Sequence, residues 1–257
     1  TLDHYLGQSQ TFIGGISLNF AVHAKRAGAQ HVSLISRVGS EDGQRILDKL
    51  EQESIDTSHV AMLRGKTAAI DIEVLDGGER IFPVGGYHTH VLSDFRLSSE
   101  ELSFVQNQDI LVTLFDSKKN SHFQQLKELK FRGKRVVDFG DWSRRQGDAE
   151  LFFENLENLD LVFISGTQEA IEVLSPYSNA NRLIVVTLGA KGSAALIDGK
   201  VLRQAAQEVA NPVDATGCGD AFQAAFTIHY FQAGDVRGAL ERAAVRAARV
   251  LQHYGAS

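Results

Sequence analysis

The sequence predicts an α/β fold: a doubly wound, mostly parallel sheet flanked by helices, with a small antiparallel β flap. Three observations carry it. Short runs rich in Val, Ile and Leu alternate along the chain with stretches of helical period, the pattern of βαβ units. Those runs are apolar throughout, as strands covered on both faces are. Only residues 67–82, "TAAIDIEVLDGGERIF", alternate apolar and polar side chains around a Gly-rich turn, which is hairpin chemistry.

In chain order, "FIGGISLNFAVHAKRAG" (12–28) sets paired glycines before a helix with Leu18, Ala21 and Val22 on its buried face and Gly28 as its stop. A strand is expected at 31–36 ("HVSLIS") and a helix at 42–52, with Ile46, Leu47 and Leu50 on one side. The hairpin over 67–82 turns at Asp76-Gly77-Gly78, either as a separate flap or as an edge of the main sheet. Strands follow at 109–115, 134–139, 159–165 and 182–188, with a helix at 121–130 presenting Phe123, Leu126 and Leu129. "VVTLGAKGSAAL" (185–196) reads as a strand, a Gly-punctuated turn and a second strand. With 257 residues, three prolines and no repeat or low-complexity tract, a single domain spanning 1–257 is expected.

Composition narrows the function. The chain is 43% hydrophobic and 23% charged, which suits a soluble enzyme or binding protein and not a disordered one. A net charge of −6 opposes a phosphate backbone, and the densest basic pairs, Lys118-Lys119 and Arg144-Arg145, read as solvated loop charge, so no nucleic acid partner is expected. No apolar run reaches membrane-spanning length, so no membrane partner is expected either. A single cysteine cannot form an internal disulfide, making the cytoplasm the default location. The chain opens on Thr1, and only one apolar residue precedes Asp3, so further natural residues are expected ahead of it.

Chemistry concentrates in "DATGCGDAFQAAF" (214–226). Gly217 and Gly219 flank Cys218 and lead into a helix whose Phe222, Ala225 and Phe226 are spaced for a buried face. Gly-rich backbone entering a helix points N–H groups outward where the helix dipole is positive, forming an anion hole. Asp220 in the first turn is then placed to take a proton from a hydroxyl attacking a phosphate. The residues alone also admit a plainer reading, a helix start with glycines shaping a turn. The spacing is neither a Rossmann fingerprint nor a Walker loop. The Gly14-Gly15 pair lets a polyhydroxylated ligand approach the backbone, Asn19 both donates and accepts hydrogen bonds, and Asp3 is expected where a strand ends. The Cys218 thiol reads as a small filler or as a reactive group.

In this order of motifs the chain resembles the ribokinase-like, or PfkB, carbohydrate kinases over essentially its whole length. The likeness rests on Asp214, Gly217, Gly219 and Asp220, on Gly14, Gly15 and Asn19, on "RVG" (37–39), and on "TLGAKG" (187–192). It implies a ribokinase-like fold whose lid covers about 10–15 and 67–90. It implies Asp220 as catalytic base, with amides around Gly217, Cys218 and Gly219 holding the transferred phosphoryl. Asp3, Gly14, Gly15 and Asn19 would bind sugar hydroxyls. Thr187, Gly189, Gly192 and Gly217 would line an ATP site. Glu169 would act on Mg²⁺ largely through water, Asp214 is a second metal candidate, and K⁺ beside Asp214 is an open option. A homodimer through the lid is the oligomeric option.

Where family members carry other residues, this chain has Gly166 for the Asn of N-x-x-E, Ala215 for Thr and Cys218 for Ala. The stretch from Gly28 to Gly39 is one residue longer than the common spacing. The segments 2–15, 137–142, 163–169 and "QHYGA" (252–256) resemble members acting on fructose–lysine conjugates, which implies fructoselysine or a related fructosamine as substrate. Tyr87, His88 and His90 are candidates for the group that distinguishes substrates, or are solvated loop residues. Other small acceptors (fructose, ribose, deoxygluconate or a hydroxymethylpyrimidine), a non-catalytic sugar-binding regulator and a nicotinamide-dependent dehydrogenase are the alternatives.

Overall fold

The computed structural model describes residues 1–115, 121–144 and 149–257, so Lys118, Lys119 and Arg145 lie outside the described residues. The chain divides into two compact units, Thr1–Phe95 with Gln207–Ser257, and Arg96–Ala206. Composition marks no seam because the chain crosses between units at Phe95-Arg96 and Ala206-Gln207 without a Pro-rich linker.

The first unit begins β1 (Leu2–Tyr5), β2 (Gln10–Ile13), α1 (Ile16–Arg26), β3 (Ser36–Gly39) and α2 (Gln44–Gln52), then β4 (Val60–Leu63), β5 (Ala69–Val74), β6 (Arg80–Ile81) and β7 (Tyr87–His88). The second unit holds α3 (Ser99–Gln106), β8 (Ile110–Leu114), α4 (Ser121–Glu128), β9 (Lys134–Asp141), α5 (Ala149–Glu154), β10 (Leu161–Ser165), α6 (Gln168–Leu174), β11 (Leu183–Thr187), β12 (Ser193–Ile197) and β13 (Lys200–Gln204). The chain then returns to the first unit as α7 (Cys218–Ala233) and α8 (Val236–Val250).

In the second unit the six strands run in the order β13-β12-β11-β10-β9-β8. The four from β8 to β11 are parallel, and β12 and β13 are added antiparallel. The parallel strands are the continuous apolar runs read from the sequence, and Val162, Ile164, Ile184 and Val186 enter one core with Phe115, Phe139, Phe152 and Trp142. Phe139 and Phe152 meet edge to face at 4.5 Å. Ser98 begins α3 with reciprocal bonds to Glu101, closing two otherwise open helix amides.

In the first unit β1 is central. It pairs antiparallel with β2 and parallel with β5, while β5 also pairs with β7 and, at its far end, with β6. The hairpin at 76–78 is therefore the tip of a five-stranded sheet that includes β1. Leu18, Val22, Val38, Ile46 and Leu50 form the core beneath α1 and α2.

Three local expectations are corrected. The strand expected at 31–36 falls instead at 36–39, and Ser33 makes only one parallel bridge, to Asp56. Asp56 turns its side chain onto the Ser58 N–H at 2.9 Å, a local bond that interrupts the partner strand. Asp3 lies inside β1 rather than at its end, because the strand continues to Tyr5 before turning back. Finally, α7 is buried on all sides from Ala221 to Ile228, not along one face, since it packs against both α1 and α8. Among the described residues, no helix is long and apolar enough to cross a membrane.

Candidate active site

Asp214 organises the loop that enters α7. Its carboxylate is fully buried and accepts the Thr216 N–H at 2.8 Å on Oδ1 and the Gly255 N–H at 3.1 Å on Oδ2. Tyr5 donates its hydroxyl to Oδ2 at 2.5 Å, and burial followed by this bond pushes the phenol above its ordinary range. From the hairpin tip, the Gly78 carbonyl accepts the Ala215 N–H at 2.8 Å.

Gly217 then caps α7 with φ 78°, a left-handed conformation that glycine adopts without strain. A Cβ there would also stand 2.3 Å from the Ala256 methyl, so the tail of the chain fills the space behind the turn. Cys218 N–H donates to the Ala215 carbonyl at 3.3 Å, and Ala221 N–H makes the first full helical turn with the Gly217 carbonyl at 2.9 Å. Among the described residues the N–H groups of Gly217 and Gly219 have no backbone acceptor. A 16-residue helix thus begins with open donors and a positive dipole end, which fits a phosphate group.

The Cys218 thiol is pushed up to about 12, first by burial, with Arg80 opposing and the carboxylates of Asp214 and Asp220 adding to the rise. A thiol raised in this way favours the filler reading over the reactive one. Asp220 is only partly buried, in the first turn of α7. Asn19 reaches it across 201 residues of sequence, its Nδ2 donating to Asp220 Oδ2 at 2.7 Å.

Asp3 is 2% exposed and accepts the Thr1 hydroxyl at 2.9 Å; burial raises its carboxyl above the usual range. Gly14 closes over it so tightly that a Cβ would stand 1.9 Å from Asp3 Oδ2. Gly15 is the N-cap of α1, which carries Asn19 and His23 one turn apart. Asp3, Gly14, Gly15, Asn19, Asp214, Gly217, Cys218, Gly219 and Asp220 therefore all belong to the first unit.

The remaining predicted residues belong to the second unit. Thr187 ends β11, its hydroxyl 3.2 Å from that of Ser165, and Gly189 and Gly192 bound the short turn into β12. Glu169 is exposed in the first turn of α6. Gly166 explains the missing asparagine, since any Cβ there would stand 2.7 Å from the Ala170 methyl and 3.3 Å from Trp142. Among the described residues no three His, Cys, Asp or Glu side chains cluster as they would around a metal ion.

Tyr5, His23, Arg80, Gly255 and Ala256 join the site without having been singled out by local chemistry. His23 Nε2 bonds the Ala256 carbonyl at 2.8 Å, so the "QHYGA" segment, visible in the sequence only as a resemblance, is the brace behind Gly217. Of the substrate candidates, His88 contacts Asp71 at 3.2 Å and stacks on His90 with centroids 5.9 Å apart, while Tyr87 is exposed.

A family model described as pfkB family carbohydrate kinase matches residues 3–257. Fructoselysine 6-kinase from Escherichia coli is 30% identical over 261 residues, covering 99% of this chain and 95% of its own length. Fructosamine kinase FrlD from Bacillus subtilis is 28% identical, covering 99% and 89%. Among solved structures, a sugar kinase from Pyrococcus horikoshii in complex with ATP superposes with a TM-score of 0.75 at 21% identity, covering 99% of this chain and 91% of that one. The ribokinase-like α/β fold expected from the sequence is the fold observed.

Proposed function

Because the chain belongs to the pfkB family of carbohydrate kinases and is thus a phosphotransferase with an alcohol acceptor, we propose that it phosphorylates a primary hydroxyl of fructoselysine or a related fructosamine, using ATP. The single observation that supports this most is Asp220 in the first turn of α7, beside the open N–H groups of Gly217 and Gly219. A base and an anion hole on one rigid helix end are what transfer of a phosphoryl group to an alcohol requires.

In this reading Asp220 takes the proton of the attacking hydroxyl, and the Gly217 and Gly219 amides hold negative charge as it spreads over the phosphoryl oxygens. Asp3, held under Gly14, accepts hydrogen bonds from sugar hydroxyls, and its burial among protein atoms fixes their orientation. Thr187, Gly189 and Gly192 keep the ATP role that their motif carries in the family. Mg²⁺, when bound, neutralises phosphate charge, and Glu169 is the carboxylate proposed to act on it through water. Asp214, whose two oxygens both accept hydrogen bonds from the protein, holds the loop in this reading rather than a monovalent cation.

Fructoselysine is favoured over other acceptors by the two fructosamine-directed relatives, each matched along 99% of this chain. The test is an ADP-release screen over fructose–amino acids, fructose, ribose, deoxygluconate and hydroxymethylpyrimidine. Highest kcat/KM on a fructose–amino acid is expected. A clear preference for a free sugar would overturn the substrate assignment, and sugar binding with no ADP release from any acceptor would overturn the kinase.

A further inference from the structure

Resting on the kinase reading, we propose that Asn19 is a positioning residue for Asp220, holding the base rather than serving only as a contact for sugar. The Asn19 side chain is 3% exposed and sits on α1 between Leu18 and Phe20, with Ala21 and Val22 following, all buried. Its Nδ2 donates to Asp220 Oδ2 at 2.7 Å. Its Oδ1, equally buried, has no hydrogen-bond partner.

Turning the amide over would set two oxygens against each other, so the orientation is dictated by the carboxylate. A buried carbonyl left unpaired is unfavourable, and an apolar side chain of similar size would avoid it on this closely packed helix. What the asparagine provides in return is one N–H donor, carried on α1 and aimed into the first turn of α7, which packs against it. Such a donor fixes the rotamer of Asp220 and favours its ionised, proton-accepting form. The other charged or titratable groups at this helix start are Asp214 and Arg80, both acting on the Cys218 thiol as Asp220 does. Asp214 is held apart from this contact, its two oxygens accepting from Tyr5, Thr216 and Gly255.

The test uses the full chain with aspartate carboxyl carbons labelled for NMR, the Asp220 signal being identified by its loss in Asp220→Asn. In Asn19→Leu and in the smaller Asn19→Ala, both of which remove the donor without adding charge, the titration midpoint of Asp220 is expected to rise by about one pH unit or more. Asn19→Ala guards against misfolding of the leucine variant by overpacking. An unchanged midpoint in a folded variant would overturn the proposal, whether or not the protein proves to be a kinase. With the acceptor found by the screen, Asn19→Leu should lower kcat about tenfold or more while sugar KM stays within about threefold. A raised KM with unchanged kcat would make Asn19 a substrate contact alone. If the wild-type chain turns over no sugar, the kinase reading fails separately, and the NMR midpoint still decides the role of Asn19.

Discussion

Asp3 and Gly14 depend on each other, because the carboxylate occupies the volume a side chain at 14 would need. A Cβ 1.9 Å from Oδ2 cannot be accommodated without moving Asp3. Gly14→Ala is therefore expected to raise the sugar KM about tenfold or more while leaving the ATP KM within about threefold, since binding depends on sub-ångström placement of the acceptor. Steady-state kinetics in both substrates checks this, and an unaltered sugar KM would remove Asp3 from the sugar site. Gly14 was legible as one of a glycine pair before a helix, and Asp3 only through an expected strand end that the structure moves inside β1; that the two touch was not legible. The partner of Asn19 was not legible, nor was the Tyr5 hydroxyl on Asp214: the pairs are 201 and 209 residues apart, and no local pattern encodes which distant side chain a fold brings near. Cys218 was read as either filler or reactive, and its raised thiol favours filler.

Among the elements, the tail after α8 has consequences that its sequence hides. His23, 2% exposed on α1, donates Nε2–H to the Ala256 carbonyl while Nδ1 lies buried without a partner. Protonating Nδ1 would bury a second, unpaired N–H. Burial, joined by the nearby Arg246 and Arg26, accordingly lowers this histidine from 6.5 to about 4, against the pull of the Ala256 carbonyl. Above pH 6.5 both folded and unfolded chains hold it neutral; as pH falls from 6.5 toward 4 the unfolded chain takes up a proton the folded one refuses, so stability is lost. The loss amounts to at most roughly 3 kcal/mol. Urea unfolding across this range should show a steeper acid decline in wild type than in His23→Gln. Parallel curves would mean that burial does not keep the ring neutral.

The elements themselves were readable to different degrees. The parallel strands β8 to β11 stand close to where their apolar runs predict, because strands covered on both faces have no polar alternation to confuse them. β3 slipped toward the C-terminus because an aspartate at 56 interrupts its partner. α7 looked one-sided because small alanines, which fit between helices as readily as they face solvent, carry little directional signal.

Across the whole molecule, the proposed base, the proposed anion hole and the proposed sugar contacts all come from the first unit, which is built from both ends of the chain. The proposed nucleotide and Mg²⁺ residues come from the second. That division was invisible in composition, since both crossings between units are short and ordinary. The net charge of −6 offers phosphates no electrostatic attraction, so the proposed phosphate site must draw on local donors such as the open Gly217 and Gly219 amides. Asp220, the proposed proton acceptor, stands in the first turn of a helix whose leading amides are open.

Turnover of Asp220→Asn on the acceptor identified by the screen tests that claim most directly, measured beside binding of sugar and ATP. A fall in kcat of about 10²–10⁴ with both affinities within about threefold of wild type is expected. Turnover close to wild type would contradict it and move the base elsewhere.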